Sequence, residues 1–349
     1  MKKRRISLFV QLLLLPLLVV LPFSTESAAA KPIILKYADP GAETLTRNKA
    51  AKEVMLEIEK LTYGRVKHEF FWSESLLKAK DILEGTKVGT CDVGATPAMV
   101  YHPANFAIWQ FTNLMFLGGN DIWGAMKAWQ EMADINPRLR EELKRTGVKH
   151  LGFYGYPNTF ISKKPLARIE DFKGMRIRSV GSSAKWVSIV GGTAVPLTFY
   201  EITEALARGT VDGTIGYLYA HHGMKFHHYC KFFTVTPVAN TCILNSFMNW
   251  DAWNKMPADI QKIYDQAWRD LYPKLCVKYT DEESAMQLKD FADAGVKNIE
   301  LTPAEYNRWK AAAKALFDEY YEKMSKRGVD GKQIVVEYER LYQNLERKK

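Results

Sequence analysis

The sequence predicts an α/β fold made of two lobes. Even without its first 30 residues, the chain is longer than the limit of about 250 to 300 residues for a single hydrophobic core. Short apolar segments alternate with amphipathic ones, which is the pattern of strands and helices in a βαβ sheet. A short motif that joins a helix to a strand occurs once in each half of the chain, as expected for two lobes of similar build.

The first 30 residues are expected to be a cleavable secretory signal peptide. A basic cluster from Lys2 to Arg5 precedes an apolar run from Ile6 to Phe23, and three alanines follow at Ala28 to Ala30. A retained membrane anchor is the alternative, but two prolines in the apolar run and the A-x-A site argue against it. Removing four basic residues and one acidic residue lowers the formal charge from +10 to +7. We therefore expect a periplasmic protein that favours small anions over nucleic acid.

Five elements are predicted at the start of the first lobe. Apolar periodicity indicates strands at Ile33 to Ala38, Arg65 to Phe71 and Cys91 to Ala95, with helices at Thr46 to Leu61 and Leu76 to Thr86 between them. Strands that alternate with helices in this way pair in parallel, so these segments predict the sheet of an α/β lobe.

The motif that occurs twice is G-T-x-D, placed between a helix and a strand. Gly89, Thr90 and Asp92 form it in the first half, and Gly209, Thr210 and Asp212 form it in the second. Chance is one explanation, because glycine commonly follows a helix. The other is that the two halves have similar folds.

A long helix is predicted between Pro257 and Phe291, where apolar residues recur at a spacing of 3.6. About 35 residues at 1.5 Å each span roughly 50 Å, which is longer than one lobe, so this helix should run across both. Pro273 should kink it. A last helix is predicted from Thr302, with a capping box completed by Glu305 and with aromatic residues on its apolar side that are expected to pack in the core.

The sequence offers little support for an enzyme. None of the motifs H-E-x-x-H, G-x-S-x-G, Walker A or G-x-G-x-x-G follows the leader. Ser182 and Lys185 form S-x-x-K, but no S-D-N or K-T-G partner accompanies them. The carboxylates that an acid–base pair would need show no selective spacing: Asp39, Glu74, Asp92 and Asp212. An exported enzyme acting on an anionic substrate is the rival hypothesis, without a residue to carry it.

A histidine cluster in "AHHGMKFHHYC" suggests a zinc carrier as a third hypothesis. It contains His221, His222, His227 and His228, followed by Cys230. The two pairs do not share a helix face and nearby carboxylates are lacking, which favours solvated or capping histidines and no metal. The four cysteines (Cys91, Cys230, Cys242 and Cys276) are widely scattered and form no C-x-x-C pair, so whether any forms a disulfide is left open.

The stretch "DFKGMRIRSVGSS" predicts an anion site. Met175 to Val180 reads as a strand, on which alternation places Arg176 and Arg178 on one face. Arg178 is nearer the end of the strand, where open α/β sheets bind ligands. A turn and helix N-cap at Gly181 to Ser183 follow directly. An arginine fork beside a helix N-terminus is a carboxylate receptor, although an ordinary surface salt bridge explains the spacing equally well.

This stretch begins a longer run that resembles the central signature of solute-binding proteins of tripartite ATP-independent periplasmic (TRAP) transporters, the DctP-like family. The family pattern is K-G-(L/M)-x-(I/L)-R, then G-A-x-P-x-P, then F-x-E-x-x-x-A-L-x-x-G-x-V-D-G. These motifs fall on Lys173 to Arg178, on a looser Gly192 to Pro196, and on Phe199, Glu201, Ala205, Leu206, Gly209, Val211, Asp212 and Gly213. The likeness covers essentially the whole chain after the leader.

The resemblance implies a two-lobed, type II-like periplasmic binding fold with hinge strands and a long helix bridging both lobes. We expect lobe I at residues 31–153 plus 242–281 and lobe II at 154–241 plus 282–349. Such a protein closes on an organic acid and delivers it to the small and large subunits of a membrane permease. It is expected to be a monomer, to need no cofactor and to catalyse no reaction.

The resemblance also implies a ligand site. The arginine that matches Arg178 pairs with the ligand carboxylate, the phenylalanine that matches Phe199 covers the ligand, and the loop after V-D-G lines the pocket. The expected ligand contacts are Arg178, Phe199, Tyr217, Asn158, Tyr156, Trp186, Gly216, Asp39, Thr96, Pro97 and Glu74.

Two departures from the family pattern bear on the ligand. Many members continue Q-E-N-P after V-D-G, whereas this chain has Thr214 to Tyr217, and a second basic contact falls near Asn158, where no arginine is present. These changes favour an aromatic or apolar monocarboxylate. Small keto acids, C4-dicarboxylates and sulfonates are the alternatives.

Overall fold

One mixed β-sheet runs through the part of the chain that the structure describes. The structure is a computed structural model that describes residues 31–347, apart from the side chains of Tyr200, Ala239, Asn240 and Ile243. The predicted signal peptide lies outside this range. In order, strands β1 to β9 are Ile33–Ala38, Val66–Phe71, Val93–Thr96, Lys149–Ser162, Arg176–Arg178, Thr193–Val195, Gly213–Gly216, Phe232–Met248 and Lys297–Ile299.

The sheet consists of two halves with the same topology. Its strand order is β2-β1-β3-β8-β4-β7-β5-β6, and β9 pairs with β8. In the first half, β1 pairs in parallel with β2 and β3, and β8 is antiparallel to β3. In the second half, β5 pairs in parallel with β6 and β7, and β4 is antiparallel to β7. The two halves are therefore equivalent strand by strand.

The G-T-x-D motif performs the same task in each half. Both glycines are in the left-handed region, with φ of 80° at Gly89 and 71° at Gly209. The carboxylate of Asp92 accepts a hydrogen bond from the Lys36 backbone N–H at 2.8 Å, and that of Asp212 accepts one from the Arg176 N–H at 2.9 Å. Each aspartate thereby ties the end of a helix to the middle strand of its half. This shared geometry favours a structural repeat over chance.

Two long strands belong to both halves. β4 and β8 pair with each other in antiparallel fashion, with three irregularities in register. One end of β8 also pairs with β3 in the first half and the other end with β9, while β4 pairs with β7 in the second half. Strands shared in this way match the hinge strands that the family resemblance implies. The exact lobe boundaries stay a prediction.

Helices pack on this sheet. In order, α1 to α14 are Thr46–Leu61, Ile82–Lys87, Ala98–Tyr101, Ile122–Ile135, Pro137–Arg145, Gly181–Ile189, Ile202–Ala207, Leu218–Gly223, Trp250–Lys255, Ala258–Gln266, Tyr272–Asp293, Pro303–Ala312, Lys314–Ser325 and Gly331–Leu345. Within residues 31–347, no helix combines the length and the apolar character needed to cross a membrane.

The predicted long helix is present as a helical run at residues 258–293. It consists of α10, a π-helical segment at Ala267–Leu271, and α11. The irregular turn lies next to Pro273, which has no N–H to offer the Arg269 carbonyl four residues earlier. The Nζ of Lys127 donates to that carbonyl instead, at 3.4 Å. α11 packs on α1 and also on α8, so it bridges the two halves as predicted.

Two predicted helices differ from those observed. The helix expected at 76–86 is a 3₁₀ turn at Ala79–Asp81 followed by the short α2. The expected last helix does begin after Thr302, whose hydroxyl accepts the Glu305 N–H at 3.2 Å, but it is followed by two more helices. α14 packs on α4 of the first half, although the predicted boundaries assign its residues to lobe II. Periodicity alone did not reveal the breaks between these segments.

The four cysteines are buried and carry free thiols. Burial raises the pKa of the Cys91 thiol to about 11, and it raises the pKa of Cys230 to about 12. Thiols of this kind remain protonated at neutral pH and act as small apolar groups in the core.

Candidate ligand-binding site

A cavity of about 120 Å³, which we call the inner cavity, is lined by residues from both halves of the molecule. Its first-half wall follows β1 and β3, and its second-half wall follows β5 and β7. Strand ends of open α/β sheets are where ligands bind in this fold class. The lining residues are Pro40, Leu45, Arg47, Ala79, Pro97, Val100, Tyr101, Arg178, Val180, Phe199, Tyr217, Tyr219 and Leu244.

Arg178 is the last residue of β5 and lines this cavity. Its Nε and Nη2 both donate to the Leu197 carbonyl, at 3.0 and 2.8 Å, which fixes the plane of the guanidinium. Among residues 31–347 it forms no ion pair with a carboxylate. Burial lowers the pKa of Arg178, and Tyr217, Tyr101 and the Glu201 carboxylate act against this effect. The side chain is therefore a desolvated cation whose hydrogen-bond partner among residues 31–347 is a backbone dipole, with Glu201 acting on it only at longer range.

Arg47 is a second guanidinium in the cavity, which the sequence analysis missed. Its Nη1 and Nη2 donate to the two carboxylate oxygens of Asp39 at 2.5 and 2.9 Å, and the side chains of Arg47 and Asp39 are only 7% and 0% exposed. Burial disfavours the charged form of Arg47, but the Asp39 carboxylate outweighs it and raises the pKa of the guanidinium well above its usual value. The two charges cancel, so the pair adds no net charge to the inner cavity.

Asp39 was expected to contact the ligand, but in the structure it binds Arg47. It is not part of the cavity lining, and besides Arg47 it accepts hydrogen bonds from the Gly41 N–H at 2.7 Å and the Tyr37 hydroxyl at 3.1 Å. These donors occupy its oxygens, so its position fits a partner of Arg47 rather than a contact of the ligand. The sequence did contain a sign of this role, because Arg47 lies in the first turn of α1, the helix that follows β1. A single arginine at such a position is, however, normally expected to face solvent.

Aromatic side chains form the rest of the inner cavity. Tyr217 and Tyr219 stack with a ring-centre distance of 5.8 Å and an angle of 9° between the rings. Tyr101 and Phe199 complete the aromatic lining. Burial raises the pKa of Tyr217 to about 12, so its hydroxyl stays protonated and can act as a donor. The cavity therefore offers flat apolar surface beside a cation.

Tyr156 and Trp186 lie outside this lining, contrary to expectation. The Tyr156 ring packs edge-on against Tyr219 at 5.0 Å, one layer behind the cavity, and its hydroxyl is 3.3 Å from Ser284 Oγ. Trp186 is fully buried, donates its indole N–H to the Trp309 carbonyl at 3.1 Å, and belongs to the core of the second half. The family resemblance and the positions of these residues along the chain placed both rings near the site, but neither indicates how deeply a ring is buried.

The predicted ligand contacts from the first half also occupy different places in the structure. Pro97 lines the inner cavity. Thr96 is buried and donates its hydroxyl to the Ala79 carbonyl at 2.5 Å, so it supports the wall from behind. Glu74 lies in a different cavity, described below, where its carboxylate accepts the Ala79 N–H at 2.8 Å. Gly216 is not in the lining, and a Cβ there would lie 2.9 Å from Cε1 of His221. It serves the packing of His221.

A second space of about 460 Å³, which we call the side cavity, adjoins the inner one. The two share five lining residues: Val100, Tyr101, Arg178, Val180 and Tyr217. Asn158 lines the side cavity and donates to the Thr241 hydroxyl at 2.8 Å, so one wall is polar but uncharged. Together the two cavities fall within the range of about 300 to 1,000 Å³ that is common for small-molecule sites.

The start of α6 also lines the side cavity, but its serines are not caps. Val180 occupies the N-cap position. Ser182 donates its hydroxyl to the Asn113 carbonyl, and Ser183 donates to the Val180 carbonyl at 2.7 Å. The predicted N-cap at Gly181 to Ser183 is therefore wrong, since both hydroxyls act as donors and leave the first N–H groups of the helix without a side-chain acceptor.

None of the four histidines lines the inner or the side cavity, and His222 lines the separate cavity that contains Glu74. His221 is buried and its Nε2 is 3.4 Å from the Thr159 carbonyl, while His222 Nε2 pairs with Asp290 at 2.8 Å. In the described part of the chain, no three His, Cys, Asp or Glu side chains are grouped so as to hold a metal. The contacts of His221 and His222 are therefore local ones.

Comparison with known proteins decides the family. The family model for bacterial extracellular solute-binding proteins, family 7 (DctP), matches residues 38–324. This chain belongs to that family. Members of family 7 are periplasmic TRAP receptors, which bind small organic acids and work with membrane permease components.

The most similar proteins agree with this assignment. The C4-dicarboxylate-binding periplasmic protein DctP of Rhodobacter capsulatus is 26% identical over 305 residues, covering 85% of this chain and 89% of that one. A TRAP periplasmic solute-binding protein from Desulfovibrio salexigens, in an open complex, is 27% identical with a TM-score of 0.78, covering 89% and 96%. A marine metagenome TRAP protein specific for aromatic acids, in complex with metahydroxyphenylacetate, is 21% identical with a TM-score of 0.82, covering 90% and 100%.

These comparisons confirm the predicted family and the two-lobed α/β fold. The relatives and structural neighbours are solute-binding receptors rather than enzymes.

Proposed function

We propose that this protein is a periplasmic TRAP receptor for an aromatic or apolar monocarboxylate, and that Arg178 pairs with the ligand carboxylate. The observation that carries the proposal is the difference between the two arginines of the inner cavity. Arg47 is neutralised by Asp39, whereas Arg178 donates its hydrogen bonds to a backbone carbonyl and forms no ion pair within the described part of the chain. The site therefore has one positive charge to offer, which suits a ligand with one negative charge.

The guanidinium of Arg178 is suited to a carboxylate. The Leu197 carbonyl occupies the edge formed by Nε and Nη2, which leaves the parallel N–H groups of Nη1 and Nη2 for the two oxygens of the anion. Hydrogen bonds between charged partners are about twice as strong as neutral ones. Removing water from both ions offsets much of this gain, so the pair alone does not give high affinity. Contact with Tyr101, Phe199 and Tyr217 supplies the remaining affinity through burial of a ring or an alkyl group. A micromolar receptor needs about 8 kcal/mol net.

The polar surroundings argue against a second charge on the ligand. Asn158 and Thr241 satisfy each other at 2.8 Å in the side cavity, and neither carries a charge. A C4-dicarboxylate, which the Rhodobacter capsulatus relative binds by its name, would leave one carboxylate without a free cation among the described lining residues. Keto acids and sulfonates fit the charge of the site but use less of its aromatic surface.

Binding is proposed to close the two lobes about β4 and β8. Closure places the carboxylate next to Arg178 and excludes water, which strengthens the electrostatic contact. The closed form would present the surface that the small and large permease subunits recognise. The chain is proposed to reach the periplasm by way of its first 30 residues, which lie outside the described range, and to act as a monomer without a cofactor.

The test compares two arginines on one strand. Arg178→Ala should abolish the binding of benzoate measured by calorimetry, because it removes the one cation without an ion pair among the described residues that line the inner cavity. Arg176→Ala is the matched control, since Arg176 lies two residues earlier in β5, is exposed and forms an ion pair with Asp212 at 2.8 Å. Arg178→Lys should also bind poorly, because an ammonium lacks the planar fork. Equal affinity in wild type and Arg178→Ala would exclude this role for Arg178.

The rival hypothesis of an exported enzyme needs its own measurement. Mass spectrometry of a bound acid after incubation with the purified protein would show a chemical change if the protein were an enzyme. A receptor returns the acid unchanged.

A further inference from the structure

The inner cavity is part of a longer series of spaces between the two halves. A groove of about 810 Å³, which we call the basic groove, shares Pro103, Gln110, Asn113, Gly181 and Ser182 with the side cavity. On the opposite side, a cavity of about 480 Å³ shares Leu45, Phe199 and Tyr219 with the inner cavity, and we call it the opposite cavity. Arg178 therefore lies between two possible routes to solvent.

The two routes differ in charge. The basic groove is lined by four cationic side chains and one carboxylate, a net charge of +3: Lys185, Lys323, Lys326, Arg327 and Glu319. The opposite cavity is lined by two carboxylates and one cation, a net charge of −1, apart from a histidine: Glu74, Glu283, Lys49 and His222. Its cation is already paired, because Lys49 Nζ lies 2.6 Å from Glu283.

The cations of the basic groove are only partly compensated. Glu319 serves both Lys185 and Lys323, so one carboxylate faces two ammonium groups. Lys326 pairs with Glu322 along α13 at 2.5 Å, and the exposed Arg327 follows it at the end of that helix. The groove thus keeps an excess of positive charge after every pair is counted, and it leads towards Arg178 by way of the side cavity.

We propose that anionic ligands enter through the basic groove and that its charge raises their rate of association. This inference rests on the proposed function, since it presumes a carboxylate ligand at Arg178. A cleft lined by charge of one sign concentrates oppositely charged solutes and raises association rates by roughly 10- to 1,000-fold. The effect acts on encounter, so it changes the association rate constant and leaves the dissociation rate constant nearly unchanged.

The groove has an apolar floor that suits the proposed ligand. Leu114, Leu316, Tyr320 and Met324 line it beneath the cations. An aromatic acid can therefore approach with its ring against this floor and its carboxylate near the ammonium groups. The opposite cavity offers no such attraction, because its two carboxylates are each paired with a lysine: Glu283 with Lys49 and Glu74 with Lys78.

The test uses two double variants with the same change in net charge. Lys323→Gln/Lys326→Gln removes two cations from the groove. Lys289→Gln/Lys314→Gln removes two exposed lysines that form equivalent ion pairs four residues along a helix and line none of these spaces. Association and dissociation of benzoate, pyruvate and succinate are followed by stopped-flow tryptophan fluorescence at ionic strengths of about 0.01 M and 1 M, where the Debye length falls from about 30 to 3 Å.

We expect the groove variant to lower the association rate constant of whichever acid binds by about three- to tenfold at low salt, with dissociation unchanged within about twofold. The difference should vanish at high salt, and the control variant should match wild type. Equal association rates in the two double variants, or a decrease that persists at high salt, would overturn the steering role while leaving the receptor assignment intact. If wild type binds none of the three acids, both the proposed function and this inference fail.

Discussion

Asp39→Asn tests how the inner cavity sets its charge. Asparagine keeps the size of the side chain but removes the carboxylate that neutralises Arg47. Its amide nitrogen would also face donors, since Asp39 accepts from Arg47, the Gly41 N–H and the Tyr37 hydroxyl. The substitution therefore leaves a buried guanidinium without its partner.

The expected loss of stability follows from the burial of this pair. Removing one partner of a buried ion pair costs about 3 to 5 kcal/mol. With an unfolding entropy of about 2.1 cal/mol/K per residue, a chain of this length loses about 0.7 kcal/mol per degree at its midpoint, so the Tm should fall by about 4 to 7 °C. An exposed pair gives a reference: Glu204→Gln breaks the contact with Arg208, which is 75% exposed, and should change stability by under 1 kcal/mol.

The same variant should change the ligand preference. An unpaired Arg47 gives the cavity a second positive charge, so the affinity for succinate relative to benzoate should rise about tenfold or more. Circular dichroism gives the Tm and calorimetry gives the two affinities. A fall in Tm no larger than that of Glu204→Gln would refute the claim that Asp39 neutralises a buried Arg47. An unchanged ratio of affinities would refute the claim that this pair selects a monoanion.

Two further predictions concern an aromatic wall and a buried histidine. Tyr217→Leu removes the stacked ring that lies beside Arg178, so calorimetry should show a larger loss of affinity for benzoate than for pyruvate; equal losses would contradict an aromatic preference. His221 has its pKa lowered from 6.5 to about 3, chiefly by burial, so the unfolded chain takes up a proton near pH 6.5 that the folded protein resists. The contribution of His221 to the free energy of unfolding should therefore be fully present above pH 6.5. It should decrease by about 1.4 kcal/mol per pH unit as the pH falls towards 3. Urea unfolding of His221→Asn between pH 4 and 6.5 should show a shallower pH dependence by that amount, and an unchanged slope would argue against a buried neutral imidazole.

Much of the fold follows from local pattern. β1 and α1 have the predicted bounds, because period-2 and period-3.6 spacings are fixed by backbone geometry. The repeated G-T-x-D motif indicated two similar halves, since each aspartate has a strand neighbour that its carboxylate can bind. The C-terminal helices were harder to predict from the sequence, because the breaks before α13 and α14 involve one or a few residues and leave the periodicity nearly intact.

Only part of the candidate site could be predicted from the sequence. Arg178 was singled out from strand alternation and from the family signature, and the structure places it in a cavity as expected. Trp186 and Tyr156 were expected in the same place and lie behind it, because sequence spacing gives a direction along an element but no depth. Arg47 was missed, since its role depends on the contact with Asp39 that only folding creates.

The sequence by itself determined the first strands and helices, the repeat of a lobe, the bridging helix and the identity of one arginine at a strand end. These properties follow from the spacing of side chains along a single element. The tertiary structure decided which charges are paired, which rings face the cavity and which route to Arg178 is basic. Charge balance and depth arise from contacts between elements far apart in the chain, so they become visible only when the two halves are brought together.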